Sequence, residues 1–323
     1  MTGRPFAPRV GSMTYERQPR IAVGPAPDIV FDRAIGAGGG RVCGFDDHPD
    51  AVVWTGGSDE FPAALPTSVR WVQLPAAGVE DWLDAGIIRA HPQVTWTSAA
   101  GAFAATVAEH ALMLLLAGVR ALPDHLAATS WTPGVFYPQL GTLRGATVGI
   151  IGAGGIGRAL IPMLGALGAQ ALAVTRSGRP VPGAVETVPV ARIDEVWSRA
   201  DHFVIAAPAT AETEQLVGAD ELAAMKPTAW VINVARGSLV DTDALVDALS
   251  RRVIAGAGLD VTDPEPLPDG HPLWSLRNAM ITPHDSNPPA LRIPAFAEHV
   301  TENVTRFAAG LDLAAVVDPS AGY

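Results

Sequence analysis

The feature that most constrains this chain is a glycine-rich segment at residues 146–157, with the sequence ATVGIIGAGGIG. Its first half is a short apolar run rich in β-branched residues, which predicts a buried parallel strand. Gly152, Gly154 and Gly157 follow in the spacing G-x-G-x-x-G, and an amphipathic helix is predicted from Arg158. This spacing fits a dinucleotide-binding turn, in which the glycines permit the tight turn, the approach of a pyrophosphate and close helix–strand packing. Alone, the segment also fits an ordinary glycine-rich turn.

Length and charge restrict the class of protein. The 323 residues suffice for two domains with a core each. A hydrophobic fraction of 48% and a charged fraction of 17% describe an ordinary globular protein. The net charge of −11, without any basic run, argues against nucleic acid as a partner. The single cysteine, Cys43, excludes an intramolecular disulfide and suits a reducing cytoplasm.

Neither a signal peptide nor a membrane span is predicted. The arginines near the start of the sequence are not followed by an apolar segment. The apolar run at residues 111–119 is too short to cross a bilayer. The first eighteen or so residues lack periodicity and indicate an unstructured leader. We therefore expect a cytoplasmic protein without membrane contact.

Strand-like segments alternate with loops and helices, which predicts an α/β protein with parallel sheets. Five such segments lie between residues 21 and 97, and six more lie between residues 146 and 282. A helix at residues 106–120 is apolar almost all round and is expected to be buried on most sides. His110 and His125 are interpreted as packing or surface residues. No H-E-x-x-H motif or Cys/His cluster predicts a metal site.

The second strand of the later group, at residues 171–175, ends in Arg176-Ser177-Gly178-Arg179. At this distance from the glycine turn, an acidic residue would bind the ribose 2′-hydroxyl of NAD. Two arginines and a serine stand there instead, and their charge suits the 2′-phosphate of NADP. The expected cofactor is therefore NADP, with NAD possible. The alternative is that these residues form only a solvated loop.

Three charged side chains of complementary type, Arg236, Glu265 and His284, follow three further predicted strands. Because the carboxyl ends of parallel strands border one crevice, we expect the three to converge beside the glycine turn. Reduction of a 2-oxo acid needs a guanidinium for its oxygens and a proton donor such as histidine. A carboxylate beside the imidazole favours its protonated form and fixes its orientation. Taken singly, each residue has an ordinary explanation as a turn or strand-end residue.

Together these motifs resemble the D-isomer-specific 2-hydroxyacid dehydrogenase family. The resemblance extends from about Val69 to the last predicted helix and is strongest between Leu143 and His284. The segments that carry it are VAEH (107–110), GAGGIG (152–157), NVARGSLVD (233–241), LDV (259–261), EPL (265–267), PLW (272–274) and TPH (282–284).

The resemblance implies roles for individual residues. Arg236 would bind the substrate, Glu265 and His284 would form the acid–base pair, and Asp260 would hold the nicotinamide amide. The residues whose backbone N–H groups would take the substrate carboxylate are Ala76, Ala77 and Gly78, although the sequence of this loop alone favours a plain turn. The expected cofactor contacts are Gly152, Gly154, Gly155, Ile156, Gly157, Arg176, Ser177, Arg179, Ala207, Pro208, Thr213, Val234, Ala235 and Asp260.

The fold implied by the resemblance has two Rossmann-like or flavodoxin-like domains with parallel sheets. The NAD(P)-binding domain, residues 105–287, is expected to be inserted into a discontinuous substrate domain, residues 1–104 plus 288–323. A homodimer is also implied. The implied reaction is NADPH-dependent reduction of a small 2-oxo acid, such as glyoxylate or hydroxypyruvate, to the D-2-hydroxy acid.

Two departures from the family pattern bear on the choice of substrate. Residues 207–210 read APAT where LPLT is usual, and residues 285–288 read DSNP where small residues and glycine usually follow TPH. Oxidation of phosphite or another small acid is an alternative, although Glu265 speaks against the formate branch, which typically has glutamine there. A non-catalytic, nucleotide-sensing protein of the corepressor kind is a second alternative.

Overall fold

The computed structural model describes residues 18–322 and divides the chain into two units. One unit combines Met1–Phe103 with Pro289–Tyr323, and the other is Ala104–Pro288. Most of the predicted leader, residues 1–17, lies outside the described residues. None of the helices within residues 18–322 is both long enough and apolar enough to cross a membrane.

The first unit contains a five-stranded sheet in the order β2-β1-β3-β4-β5, and every pair of neighbouring strands is parallel. This is the flavodoxin-like strand order. The central strands β3 and β4 are buried along their whole length, as expected of a parallel sheet covered on both faces. The strands are β1 (Arg20–Gly24), β2 (Arg41–Cys43), β3 (Ala51–Trp54), β4 (Trp71–Gln73) and β5 (Thr95–Thr97).

Helices cover the two faces of this sheet. Helix α1 (Ile29–Ala37) begins at Asp28, whose carboxylate accepts the Val30 N–H at 2.8 Å and so caps the helix. It buries Phe31 and Ile35 in one cluster of core residues. The short helices α2 (Glu80–Asp84) and α3 (Ile87–Ala90) contribute Trp82, Leu83 and Ile88 to a second cluster.

The second unit contains a seven-stranded parallel sheet in the order β12-β11-β10-β9-β6-β7-β8. The strand order reverses between β6 and β9, which makes this a doubly wound sheet with a switch point at β6. The predicted fold class is confirmed. The elements are α4 (Ala104–Val119), α5 (Leu122–Ala127), β6 (Thr147–Ile151), α6 (Gly155–Ala166), β7 (Gln170–Thr175), β8 (Glu186–Pro189), α7 (Asp194–Trp197), β9 (His202–Ile205), α8 (Ala219–Ala224), β10 (Trp230–Asn233), α9 (Thr242–Ser250), β11 (Gly256–Leu259) and β12 (Ala279–Ile281).

The count of six strands expected for this unit is wrong, because β8 was not predicted. Strand β8 lies at the edge of the sheet, and Val188 is its one buried residue. It ends at Pro189, a residue that sheets tolerate mainly at their edges. A strand with so little apolar character carries no sequence pattern that separates it from a loop.

Helix α4 is buried on most sides, as predicted. Its exposed residues are Ala105, Glu109 and Met113, which are spaced by four and form one narrow stripe. The rest of the helix packs against α6, β10 and β11.

The last helix, α10 (Pro289–Ala308), returns the chain to the first unit. Its buried face packs beside α1, with the rings of Phe31 and Phe296 in edge contact at 5.2 Å. The Asn303 amide donates to Gln73 Oε1 at 2.8 Å, which ties the helix to the end of β4.

Candidate functional site

The glycine turn after β6 lies at the switch point of the seven-stranded sheet. Gly152 has a φ of +90°, and a Cβ there would collide with the backbone of Ala207, which follows β9. The N–H groups of Gly152 and Ala153 both donate to the Val174 carbonyl, at 3.1 and 2.9 Å. Only glycine satisfies both the dihedral angle and the close approach at residue 152.

The other two glycines of the motif differ in their surroundings. A Cβ at Gly157 would lie 2.9 Å from Ile150 Cγ2, which reflects close packing of α6 on β6. A Cβ at Gly154 would meet nothing within 4 Å, so the backbone is open there. Helix α6 begins at Gly155 and continues through Ile156, directly after this open backbone. The turn thus fits a dinucleotide, whose pyrophosphate would lie against Gly154 at the positive end of α6.

The loop after β7 exposes Arg176, Ser177 and Arg179. The Thr175 hydroxyl accepts the Gly178 N–H at 3.1 Å, and the Ser177 hydroxyl accepts the Arg179 N–H at 3.4 Å. These bonds form a compact turn on the strand that neighbours β6. The loop therefore presents two guanidinium groups beside the glycine turn.

Of the remaining predicted cofactor contacts, Asp260 follows β11, and the other five lie after the carboxyl ends of β9 and β10. Ala207 is buried against Gly152, and the Thr213 hydroxyl donates to the Pro208 carbonyl at 2.8 Å. Val234 and Ala235 are buried directly after β10. All of them belong to the same edge of the sheet as the glycine turn.

Arg236 is half-buried in an extended conformation after β10. Its Nη1 donates to the Ala235 carbonyl at 2.8 Å, and its own carbonyl accepts from the Asn233 amide at 2.8 Å. At Gly237 a Cβ would collide with the carbonyl of Thr262. Glycine therefore lets the segment that carries Arg236 pack against the segment that leads to Glu265.

The structure brings Glu265 and His284 together. Glu265 Oε1 lies 2.6 Å from His284 Nδ1, and Glu265 Oε2 accepts the Thr262 N–H at 3.4 Å. The side chains of His284 and Glu265 are 50% and 43% exposed, so both can be reached from solvent. Because Nδ1 faces the carboxylate, Nε2 is the nitrogen that can face a substrate.

His284 has a left-handed backbone, with a φ of +53°. Such a conformation is uncommon in residues other than glycine, and it concentrates at functional sites. The His284 N–H donates to the carbonyls of Asp260 and Thr282, at 2.8 and 3.0 Å. The direction of the imidazole is thus set by the backbone.

Asp260 anchors the segment that carries His284. The Asp260 side chain is 1% exposed. Its Oδ1 accepts the Thr282 hydroxyl at 2.7 Å and the Asp285 N–H at 3.1 Å, and its Oδ2 accepts the Ser286 N–H at 3.2 Å. The role of Asp260 toward the nicotinamide stays a prediction. What the geometry adds is a carboxylate whose two oxygens both hold the segment after β12.

His110 takes part in the same network, which the sequence interpretation missed. Its Nε2 lies 2.9 Å from the Thr282 hydroxyl and 3.3 Å from Asp260 Oδ1. His110, Asp260 and Asp285 each place one possible metal-ligand atom within 4.8 Å of the others. The hydrogen bonds already made by Asp260 favour a structural role for this group. The VAEH motif was the one signal that pointed to His110.

The predicted carboxylate-binding loop follows β4 in the first unit. Ala76 and Ala77 are exposed, and Gly78 is half-buried. The Ala76 carbonyl accepts the Ala99 N–H at 2.8 Å, and the buried Gln73 amide donates to the carbonyl of Leu74 at 2.9 Å. The loop is therefore held at its start while the following residues are open to solvent.

Comparison with known proteins identifies relatives along most of the chain. Residues 110–286 match the NAD-binding domain of D-isomer specific 2-hydroxyacid dehydrogenases. An uncharacterized protein from the proB 3′ region of Corynebacterium melassecola is 43% identical over 277 residues, which cover 85% of this chain and 90% of that protein. Human glyoxylate reductase/hydroxypyruvate reductase is 34% identical over 267 residues, covering 80% and 78%. A D-isomer specific 2-hydroxyacid dehydrogenase from Xanthobacter autotrophicus Py2, solved with NADPH and MES, is 27% identical with a TM-score of 0.78, covering 95% and 100%.

Proposed function

The chain belongs to the D-isomer specific 2-hydroxyacid dehydrogenase family, and on that premise we propose that it reduces a small 2-oxo acid, such as glyoxylate or hydroxypyruvate, with NADPH. The product is the D-2-hydroxy acid. The observation that carries the proposal is the contact of 2.6 Å between Glu265 and His284, because it supplies a proton donor at the edge of a dinucleotide-binding sheet. The name of the human relative supports the choice of substrates.

His284 supplies the proton in this reaction. When bound, the reduced nicotinamide supplies a hydride to the carbonyl carbon of the 2-oxo acid. The imidazolium gives its Nε2 proton to the carbonyl oxygen, so that C=O becomes CH–OH, and it regains a proton from solvent afterwards. Glu265 stabilises the imidazolium at Nδ1 and fixes the plane of the ring. One hydride and one proton are consumed in each turnover.

Arg236 binds the oxygens of the acid. The Nη1 contact with the Ala235 carbonyl orients the planar guanidinium of Arg236, whose shape matches a carboxylate. In the first unit, backbone N–H groups at Ala76, Ala77 and Gly78 are suited to a substrate carboxylate, as the family resemblance implies, because the loop carries no large side chain.

The preference for NADPH rests on the loop after β7. Arg176, Ser177 and Arg179 are exposed there, without a carboxylate that would repel a 2′-phosphate. The Xanthobacter structure, solved with NADPH, supports this choice. We also propose a homodimer, as the family resemblance implies, and a cytoplasmic location, which the single cysteine suits.

The test is oxidation of NADPH by the purified chain in the presence of 2-oxo acids. Glyoxylate and hydroxypyruvate should be reduced, and chiral chromatography of the hydroxypyruvate product should show the D-isomer. The reverse assay with NADP⁺ and phosphite is the control for the alternative enzyme. Absence of turnover across a panel of 2-oxo acids, or reduction of NADP⁺ by phosphite, would contradict the proposal.

A further inference from the structure

A cluster of buried polar side chains lies at the carboxyl end of the five-stranded sheet. Gln73 is the last residue of β4, Thr97 is the last residue of β5, and Asn303 belongs to α10. All three are 0% exposed, within a core that is otherwise mostly apolar. Burial of amides and hydroxyls costs free energy unless their donors and acceptors are paired. The hydrogen-bond partners therefore show which parts of the backbone the cluster holds.

The Gln73 amide is hydrogen-bonded at both of its ends. Its Oε1 accepts from the Thr97 hydroxyl at 2.9 Å and from the Asn303 amide at 2.8 Å. Its Nε2 donates to the Leu74 carbonyl at 2.9 Å and to the Ser98 carbonyl at 3.0 Å. A primary amide has two N–H donors, so both are used. Gln73 therefore holds the residue that follows β4 and the residue that follows β5 at the same time.

Helix α10 supports this arrangement through two residues one turn apart. Asn303 donates to Gln73, and its Oδ1 accepts the Ala314 N–H at 2.8 Å. His299 is buried, and its Nε2 lies 3.1 Å from the Ser98 carbonyl. Because a carbonyl only accepts, Nε2 of His299 carries the proton. The Ser98 carbonyl thus accepts from two buried side chains, Gln73 and His299.

The position of Ser98 fixes a peptide plane in the loop after β4. The Ala99 N–H, directly after Ser98, donates to the Ala76 carbonyl at 2.8 Å. The peptide bond between Ala76 and Ala77 is trans, and a trans peptide points its carbonyl and its N–H in opposite directions. The Ala77 N–H is therefore directed away from Ala99. Its direction depends on the residues that hold Ser98 in place.

The loop after β4 has backbone donors that the protein itself does not use. Within residues 18–322, the N–H groups of Ala76, Ala77 and Gly78 donate to no protein acceptor. Ala76 and Ala77 are exposed, so their N–H groups are open to solvent or to a ligand. Backbone N–H groups are strong donors, and a carboxylate is a strong acceptor for them. The bonds of Gln73 therefore orient donors that suit a carboxylate.

We propose that Gln73 is a positioning residue for acid binding, which sets the direction of the N–H groups at residues 76–78 so that they meet a substrate carboxylate. Gln73 does not touch the substrate, because its side chain is buried and all of its polar atoms are paired within the protein. This role rests on the function proposed above, in which the loop takes a carboxylate. Gln73 thus controls the affinity for the acid and leaves the transfer of hydride and proton to other residues.

The test measures acid binding separately from catalysis. Oxalate, a dicarboxylate that NADPH does not reduce, is titrated calorimetrically into the full chain with saturating NADPH, and kcat and KM for glyoxylate are measured in parallel. Gln73→Met keeps the length of the side chain and removes its hydrogen-bond donors. We expect the Kd of oxalate and the KM of glyoxylate to rise about tenfold, as the loss of one hydrogen bond to a charged group does. The kcat should stay within about threefold, because a loss of uniform binding raises KM alone.

Trp71→Phe is the matched control. Trp71 lies two residues before Gln73 on the same face of β4, is fully buried, and donates to the Thr97 hydroxyl at 2.8 Å. The variant loses a buried hydrogen bond of the same sheet, but none to the residues that orient the loop. It should lower the melting temperature, as Gln73→Met does, and leave the Kd of oxalate unchanged.

A second variant covers the case in which Gln73→Met does not fold. His299→Phe removes the other buried donor to the Ser98 carbonyl and should raise the Kd of oxalate about two- to threefold. If Gln73→Met does not fold, an unchanged Kd in His299→Phe overturns the positioning role.

The remaining outcomes separate the positioning role from the proposed reaction. Equal Kd values for oxalate in Gln73→Met and Trp71→Phe would overturn the positioning role, and so would a loss confined to kcat or a wild type that binds no oxalate. A wild type that reduces no 2-oxo acid, but binds oxalate more tightly than Gln73→Met does, would contradict the proposed reaction and support the positioning role.

Discussion

His202 and His284 belong to the same sheet of the second unit, and their environments are opposite. His202 begins β9 at the amino edge, is 7% exposed, and has a pKa lowered to about 4 by burial. His284 follows β12 at the carboxyl edge, with a side chain that is 50% exposed and paired with Glu265. Burial holds His202 neutral near pH 7, while His284 lies beside a carboxylate where a ligand can reach it.

The backbone explains how the two environments arise. His202 lies in a regular strand between β6 and β10, where the sheet buries it. His284 lies beyond the last strand in a left-handed conformation that hydrogen bonds to Asp260 and Thr282 maintain. Residues past the carboxyl ends of strands are free of the ladder, so they can be aimed at a ligand. The difference shows that a histidine beyond the carboxyl end of a strand can donate a proton to a ligand, whereas one buried within a strand cannot.

The largest expected effect separates the two histidines by activity. Replacing His284 by Gln removes the proton donor, and kcat for reduction of glyoxylate should fall by about 10² to 10⁴. NADPH affinity, measured by fluorescence titration, should stay within about twofold, since a group that acts on the substrate proton adds little to cofactor binding. His125→Gln, in the exposed helix α5, is the control and should leave kcat intact. A His284→Gln enzyme with wild-type kcat would contradict the role of His284 as the proton donor.

Arg236→Ala should produce the next largest effect. Loss of a charge-assisted bidentate contact costs about 3 kcal/mol or more, which lowers kcat/KM about a hundredfold. Steady-state kinetics and NADPH titration are measured separately, and cofactor binding should survive. Arg251→Ala, an exposed arginine of the same unit, serves as control. Unchanged turnover in Arg236→Ala would contradict the proposal that Arg236 binds the substrate.

The pKa of His202 predicts a loss of stability in acid. The unfolded chain takes up a proton near the ordinary value of 6.5, whereas the folded chain does so near 4. The contribution of neutral His202 to the free energy of unfolding is therefore fully present above pH 6.5. It is lost as the pH drops toward 4, by about 3 kcal/mol in total. Urea unfolding of the full chain between pH 4.5 and 7.5 measures how the free energy of unfolding changes with pH. In His202→Asn this slope should decrease by the equivalent of one proton taken up on unfolding, and in His125→Asn it should not change. Equal slopes for wild type and His202→Asn would contradict the burial argument.

The smallest expected effect concerns the cofactor. Arg176→Asp replaces an attractive charge by a repulsive one next to the 2′-phosphate, and a charge-assisted contact there is worth about 1.5–3 kcal/mol. The ratio of kcat/KM for NADPH over NADH should fall by about ten- to a hundredfold. Arg192→Asp, on the short 3₁₀ helix after β8, changes the same charge elsewhere and should leave the ratio intact. Equal use of both cofactors by the wild type would show that the loop is only solvated.

Much of the fold could be predicted because its signals are local. Short apolar runs in the sequence predicted most of the strands. The dinucleotide turn was predicted from its glycines, and the structure shows why glycine is needed: Gly152 has a positive φ, and Gly157 packs tightly against β6. Strand β8 was missed because a single buried residue leaves no pattern. The meeting of Glu265 and His284 followed from the rule that parallel strands share one carboxyl edge.

Other features have no local signal. The left-handed backbone of His284 depends on bonds to Asp260, 24 positions earlier in the chain, and His110 joins the same network from helix α4. Such features arise from tertiary packing, which neither periodicity nor motif spacing encodes.

The central claim is that Glu265 and His284 act as one acid–base pair, and kcat with NADPH and glyoxylate in a double-variant cycle tests it most directly. Glu265→Gln should lower kcat, because the amide no longer holds the imidazole as the carboxylate does at 2.6 Å. The double variant Glu265→Gln with His284→Gln should be no slower than His284→Gln alone, because Glu265 acts through the imidazole. Asp269→Asn, an exposed acidic residue on the same segment, controls for the loss of one charge and should keep the wild-type kcat. Losses that multiply in the double variant would contradict the account.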